Sequence, residues 1–188
     1  MNRDQNVPEF SRPLKAESVG PRGRIEKLTA NPAERAALAE RFSILTVDSL
    51  VAEIELRPHR RDGIALKGRL VADVTQACVV SLEPVPEHVE VEFERVFEPG
   101  AENADATFSV EELFDPEGED PPDPLIDGIV DLGDVVAEEL ALSLDPYPRA
   151  PGAEIPAAYR PEPEAEAEKA PPQGTHRPFA VLKGGRDT

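Results

Sequence analysis

Residues 88 to 97 read HVEVEFERVF, and the class of fold turns on their alternation. Val89, Val91 and Phe93 fall on one side and Glu90, Glu92 and Glu94 on the other. That period of two is what a strand with one buried and one solvated face requires. Toward the N-terminus, IALKGRLVADVTQAC (Ile64 to Cys78) alternates again, and ILTVDSLVAEIEL (Ile44 to Leu56) sets Leu50, Ala52, Ile54 and Leu56 against Val51, Glu53 and Glu55. The intervening RPHRRDG carries turn chemistry at Asp62-Gly63, so Ile44 to Cys78 predicts a long antiparallel hairpin.

Further out, Asn31 can cap a helix, Pro32 suits its first position, and Glu34 completes a capping box. The helix should run to about Phe42, with Leu38, Phe42 and the intervening alanines forming one apolar stripe that lies on the sheet. PEFSRPL (Pro8 to Leu14) reads as an irregular edge strand and GRIEKLTA (Gly23 to Ala30) as a second short one. A second helix starts at Asp131, with Asp134 at the third position and Leu132, Val135, Val136, Glu139 and Leu140 in helical rhythm, and Asp145-Pro146 stops it. Alternating runs and capped helices in separate blocks, without a βαβ rhythm, predict an α+β fold: a mainly antiparallel sheet, two principal helices, and disordered acidic and Pro-rich segments.

The 188 residues suffice for one core. With 21 prolines, 5% aromatics and no Trp, that core should be modest and flanked by extended segments. We expect a single domain over 1–150 with an acidic loop at about 98–128. Residues 151–188 then form a disordered Pro/Ala/Glu linker ending in the apolar PFAVL cluster (Pro178 to Leu182). Within EPGAENADATFSVEELFDPEGEDPPDPL, only a short piece around Thr107 to Phe114 has the look of a regular element. No run approaches the roughly 18 to 20 apolar residues of a membrane span. The start MNRDQNVPEFSRPL lacks a signal-like apolar stretch, which predicts no membrane association and a cytoplasmic location. The lone Cys78 fits a reducing compartment.

The net charge of −18 is unevenly spread. Residues 1 to 95 carry 16 acids and 14 bases, residues 96 to 148 carry 16 acids and no Lys, Arg or His, and residues 149 to 188 carry 6 of each. Such a band repels phosphate and attracts a basic partner, or it simply keeps the chain hydrated.

Chemistry-bearing residues are sparse. His59 falls in the hairpin turn, His88 at a strand start and His176 in the tail, so no nucleophile and base are paired by sequence with Cys78. The adjacent carboxylates Glu111-Glu112 and Glu138-Glu139 have no cation near them in sequence to tune acid and base roles. We therefore expect no catalytic residues, no cofactor, no metal and no small-molecule substrate. Arg57, His59, Arg60 and Arg61 cluster at the hairpin tip. Arg57, Arg60 and Arg61 are candidate RNA contacts, although no aromatic side chain is interleaved for stacking, and a charged tip also keeps a long hairpin hydrated. Phe179, Val181 and Leu182 form an apolar anchor for the domain itself or for a partner.

Three landmarks then fall in order: CVVSLEPV (Cys78 to Val85) before an alternating strand, IVDLGDVVAEELALSLDPYP (Ile129 to Pro148), and RPFAVLK (Arg177 to Lys183). In these the chain resembles the YceD family, which is linked to accumulation of large-subunit ribosomal RNA. The resemblance implies a factor for ribosome assembly or stability, not an enzyme, with a ribosomal protein or pre-ribosomal particle as partner. On that basis Glu111, Glu112, Glu117, Glu119 and Asp120 are candidate contacts to a basic ribosomal protein. Direct binding of ribosomal RNA through Arg57 to Arg69 is the alternative, and a cryptic hydrolase is a third. Many relatives resemble a Cys-x-x-Cys arrangement at the first landmark, where this chain has Cys78 and Ser81. Tyr147 to Ala153 reads YPRAPGA without the further cysteines of some relatives, so a structural zinc is not expected.

Overall fold

Asp62, at φ 58°, and Gly63 reverse the chain at the hairpin tip. Asp tolerates the left-handed region because its short polar side chain bonds locally. The computed structural model describes residues 8–60, 62–100 and 121–155. From the tip, β3 (Thr46–His59) and β4 (Gly63–Ala77) pair antiparallel from His59↔Gly63 to Thr46↔Thr75, with one bulge between Val47 and Ser49. β5 (Pro84–Glu98) continues the sheet from Ile64↔Phe97 to Ala77↔Pro84 without a break in register. β2 (Arg24–Thr29) pairs antiparallel with β3, and the two-residue β6 (Asp123–Pro124) pairs parallel with the end of β5. The order is β2-β3-β4-β5-β6.

Side-chain alternation sorts the two faces. Leu50, Ile54 and Leu56 of β3, Leu70 and Val74 of β4, and Val89 and Phe93 of β5 are buried, while Glu53, Lys67, Arg69, Glu90, Glu92 and Glu94 face out. Gly68 stands opposite Phe93, and a Cβ on it would lie 2.2 Å from the ring, so the missing side chain is what makes room for the aromatic. On the buried face lies α1 (Pro32–Phe42), whose Leu38 is fully enclosed. Asn31 Oδ1 accepts from the amides of Ala33 and Glu34, and Glu34 returns a bond to the Asn31 amide. α2 (Leu132–Ser143) buries Leu132, Val135, Val136 and Leu140, and Asp131 caps it. The architecture is α+β, with a mostly antiparallel sheet and, among the described residues, two α-helices, as the periodicities predict.

Two elements differ from expectation. The stretch Pro8 to Leu14 is not a strand throughout: β1 is Pro13–Lys15, paired with β7 (Ile129–Asp131) in a separate two-stranded sheet. Before it, Ser11 Oγ and the Arg12 amide both bond the Asp131 carboxylate, and Phe10 is 1% exposed, so side-chain anchoring replaces strand pairing there. Gly133 permits this, because a Cβ there would lie 2.4 Å from the Phe10 carbonyl oxygen. Within the expected acidic loop at about 98–128, the short strand β6 is formed, while Thr107 to Phe114 lies outside the described residues. Contacts divide the chain into Met1–Ala153 and Glu154–Thr188.

Candidate functional site

The hairpin tip is less cationic than its composition suggests. Residues two apart on a strand share a face, so Arg57 leans back on Glu55, its Nε and Nη2 donating to Oε1 at 2.8 and 2.6 Å. His59 Nε2 and Arg60 Nε lie 3.5 and 3.4 Å from Oε1 of Glu98, a carboxylate only 5% exposed. Arg61 lies outside the described residues. The three basic side chains that are described thus face carboxylates of the same domain.

Glu98 also marks where the acidic band takes root. Phe97↔Asp123 and Glu98↔Pro124 pair in parallel, and the Leu125 amide donates to the Glu98 carbonyl at 3.0 Å. The chain therefore leaves at Gly100 and returns at Pro121 beside the hairpin tip. A groove of about 590 Å³ there is lined by His59, Arg60, Arg95, Glu98 and Asp123 among others. Glu111, Glu112, Glu117, Glu119 and Asp120, and the tail residues His176, Phe179, Val181 and Leu182, lie outside the described residues.

Among the described acids of the band, three meet one cation. Arg95 of β5 donates from Nε to Asp123 at 2.8 Å, from Nη1 to Glu139 at 3.1 Å and from Nη2 to Glu138 at 3.0 Å. Glu138 and Glu139 therefore do have a cation beside them, contrary to the sequence reading. It arrives from 43 residues away along the chain, where no local pattern announces it.

At the opposite end of the hairpin, Cys78 is fully buried and its Sγ accepts from the amides of Val80 and Ser81 at 3.4 and 3.3 Å. The Ala150 amide, followed by those of Ser81 and Val80, lowers the thiol pKa to about 6, outweighing the opposing effect of burial. Ser81 donates its hydroxyl to Glu83. Among the described residues no group of three or more His, Cys, Asp or Glu is arranged to hold a metal ion.

One polar array escaped the sequence reading. Ser49 Oγ donates to Asp73 at 2.7 Å and His88 Nδ1 lies 2.7 Å from the same carboxylate. The bond to His88, then that from Ser49, hold the Asp73 carboxyl below its ordinary range. Both groups meet on the acid, so the imidazole is not placed to take the serine proton, and the array ties three strands together.

The family described as large ribosomal RNA subunit accumulation protein YceD matches residues 66–184. The chain belongs to the YceD family. All three YceD landmarks fall within the matched span: Cys78 to Val85 forms the turn into β5, Ile129 to Pro148 forms β7, α2 and its exit, and Arg177 to Lys183 lies outside the described residues. Comparisons with curated proteins and with solved structures found no match. Membership of the YceD family ties the chain to accumulation of the large ribosomal RNA subunit. Among the described residues no helix is long and apolar enough to cross a membrane.

Proposed function

We propose that this protein is a non-catalytic factor that supports large-subunit ribosomal RNA accumulation in the cytoplasm by holding a basic ribosomal protein through its acidic band. The observation that carries the reading is the run of 16 acids without a base from residue 96 to 148. Its return to the domain is rooted on β5, where Arg95 meets Asp123, Glu138 and Glu139, while Arg60 meets Glu98 and Arg41 meets Asp134. An unscreened excess of this kind attracts a cationic partner over a Debye length of about 8 to 10 Å and accelerates encounter. Direct RNA binding through Arg57, Arg60 and Arg61 draws less support, because Arg57 and Arg60 face Glu55 and Glu98.

The test is a pull-down at low and moderate salt, read for both protein and RNA. Replacing Glu111, Glu112, Glu117, Glu119 and Asp120 by amides should weaken capture of a basic protein and flatten its salt dependence. Unchanged capture overturns the proposal, and capture of RNA alone transfers it to the hairpin tip.

A further inference from the structure

Across the open face of the sheet the charge alternates in sign from strand to strand. Lys27 of β2 stands opposite Glu53 of β3, Glu53 opposite Arg69 of β4, and Arg69 opposite Glu92 of β5. One row along, Glu55, Lys67 and Glu94 repeat the pattern. Ion pairs join Lys27 to Glu53 at 2.8 Å, Lys67 to Glu94 at 2.7 Å, and Arg69 to Glu90. Opposite charges on facing positions stabilise neighbouring strands and like charges oppose them. The strand that fits next to β5 therefore carries cations.

Among the described residues, no strand pairs with the outer edge of β5 before Phe97. Among the described residues β6 pairs only with Phe97 and Glu98. The Glu98 carbonyl accepts from Leu125, so its main-chain groups point away from β4. Backbone groups alternate in direction along a strand, so those of His88, Glu90, Glu92, Glu94 and Val96 point the same way. Pro84 and Pro86 fall in the same register, and a proline inside a sheet is tolerated on an outer edge. Pairing is therefore offered from His88 to Val96, a length of about 27 Å at a strand's rise per residue.

Charge also selects the occupant. A second copy of β5 would set glutamates against glutamates and is disfavoured. We propose that this edge receives an extended segment of a basic partner protein, with Lys or Arg at alternate positions facing Glu90, Glu92 and Glu94 and apolar residues between them. The inference rests on the reading that the partner is a basic protein, and it adds the shape in which that partner is bound.

The experiment titrates the full chain with two nine-residue peptides of equal composition, one alternating Lys with Val or Thr and one with its lysines in a block. Binding through an edge should favour the alternating peptide by about tenfold or more, since only it meets both backbone and charge. The amides of Glu90, Glu92 and Glu94 should gain hydrogen-exchange protection in that complex. Glu92→Pro, which removes one outward N–H, should abolish the preference, while Glu92→Gln should weaken binding and keep it. Equal affinity for the two peptides, or no protection at those amides in the unaltered chain, overturns the edge and leaves the acidic-band proposal standing. If the five-amide variant binds the alternating peptide as tightly as the parent chain does, the band fails and the edge stands.

Discussion

Cys78 shows how backbone geometry sets the chemistry of one side chain. Its sulfur lies among amides from Val80, Ser81 and Ala150, and its folded pKa is lowered from 9.0 to about 6. A group whose folded pKa is depressed contributes stability that is present above the unfolded value and lost as pH falls through the folded value. The thermal midpoint should accordingly rise between pH 6 and 9 by more in the parent chain than in Cys78→Ala. The chain has one cysteine, so thiolate absorbance near 240 nm reports this group alone, and a midpoint near the ordinary thiol range would contradict the assignment. Gly68 illustrates the reverse dependence, of backbone on neighbour. Gly68→Ala places a methyl against the Phe93 ring and should lower stability by about 1 to 3 kcal/mol through overpacking. Urea denaturation that shows no loss would mean that the ring has another rotamer open to it.

Among the elements, those with a repeat were legible and those without were not. β3, β4 and β5 are long enough for the period of two to emerge, and α1 carries both its cap and its stripe. β1 and β7 have three residues each and β6 has two, too few for any period, so their pairing is decided by Asp131 and the packing of Phe10. The candidate site divides in the same way. The charge of each residue is readable, but its neutralisation across strands, as in Glu98 with Arg60, depends on register. Arg95 clamps β5 to β6 and α2 and is the clearest test of such a contact. Its side chain is about a quarter exposed, so the 3 to 5 kcal/mol typical of breaking a buried pair is reduced by solvent, and Arg95→Met should cost about 1 to 3 kcal/mol. Adding Glu138→Gln and Glu139→Gln should recover part of that loss, because the stranded carboxylates are then removed. An undiminished loss in the triple variant would show that the arginine stem, not its charge, holds the elements together.

At the scale of the molecule, one landmark, Arg177 to Lys183, falls after Ala153, in the second of the two contact units. All described strands and helices end by Ser143, so deleting residues 174 to 188 should leave the thermal midpoint nearly unchanged while reducing function in cells. Unfolding on truncation would assign Phe179, Val181 and Leu182 to the core and end their candidacy as a partner anchor. The pairing of β1 with β7 has a different reach. Pro13 meets Asp131 and Phe10 meets Gly133, although translation delivers the N-terminal residues first. A nascent chain halted before Ile129 has the hairpin and β5 complete in sequence yet lacks the Asp131 that bonds Ser11 and Arg12 and the Gly133 that lies against Phe10. Long-range closures of this kind are slow because loop entropy is lost before contacts form. For the N-terminal strap, then, the order of synthesis and the order of assembly run in opposite directions.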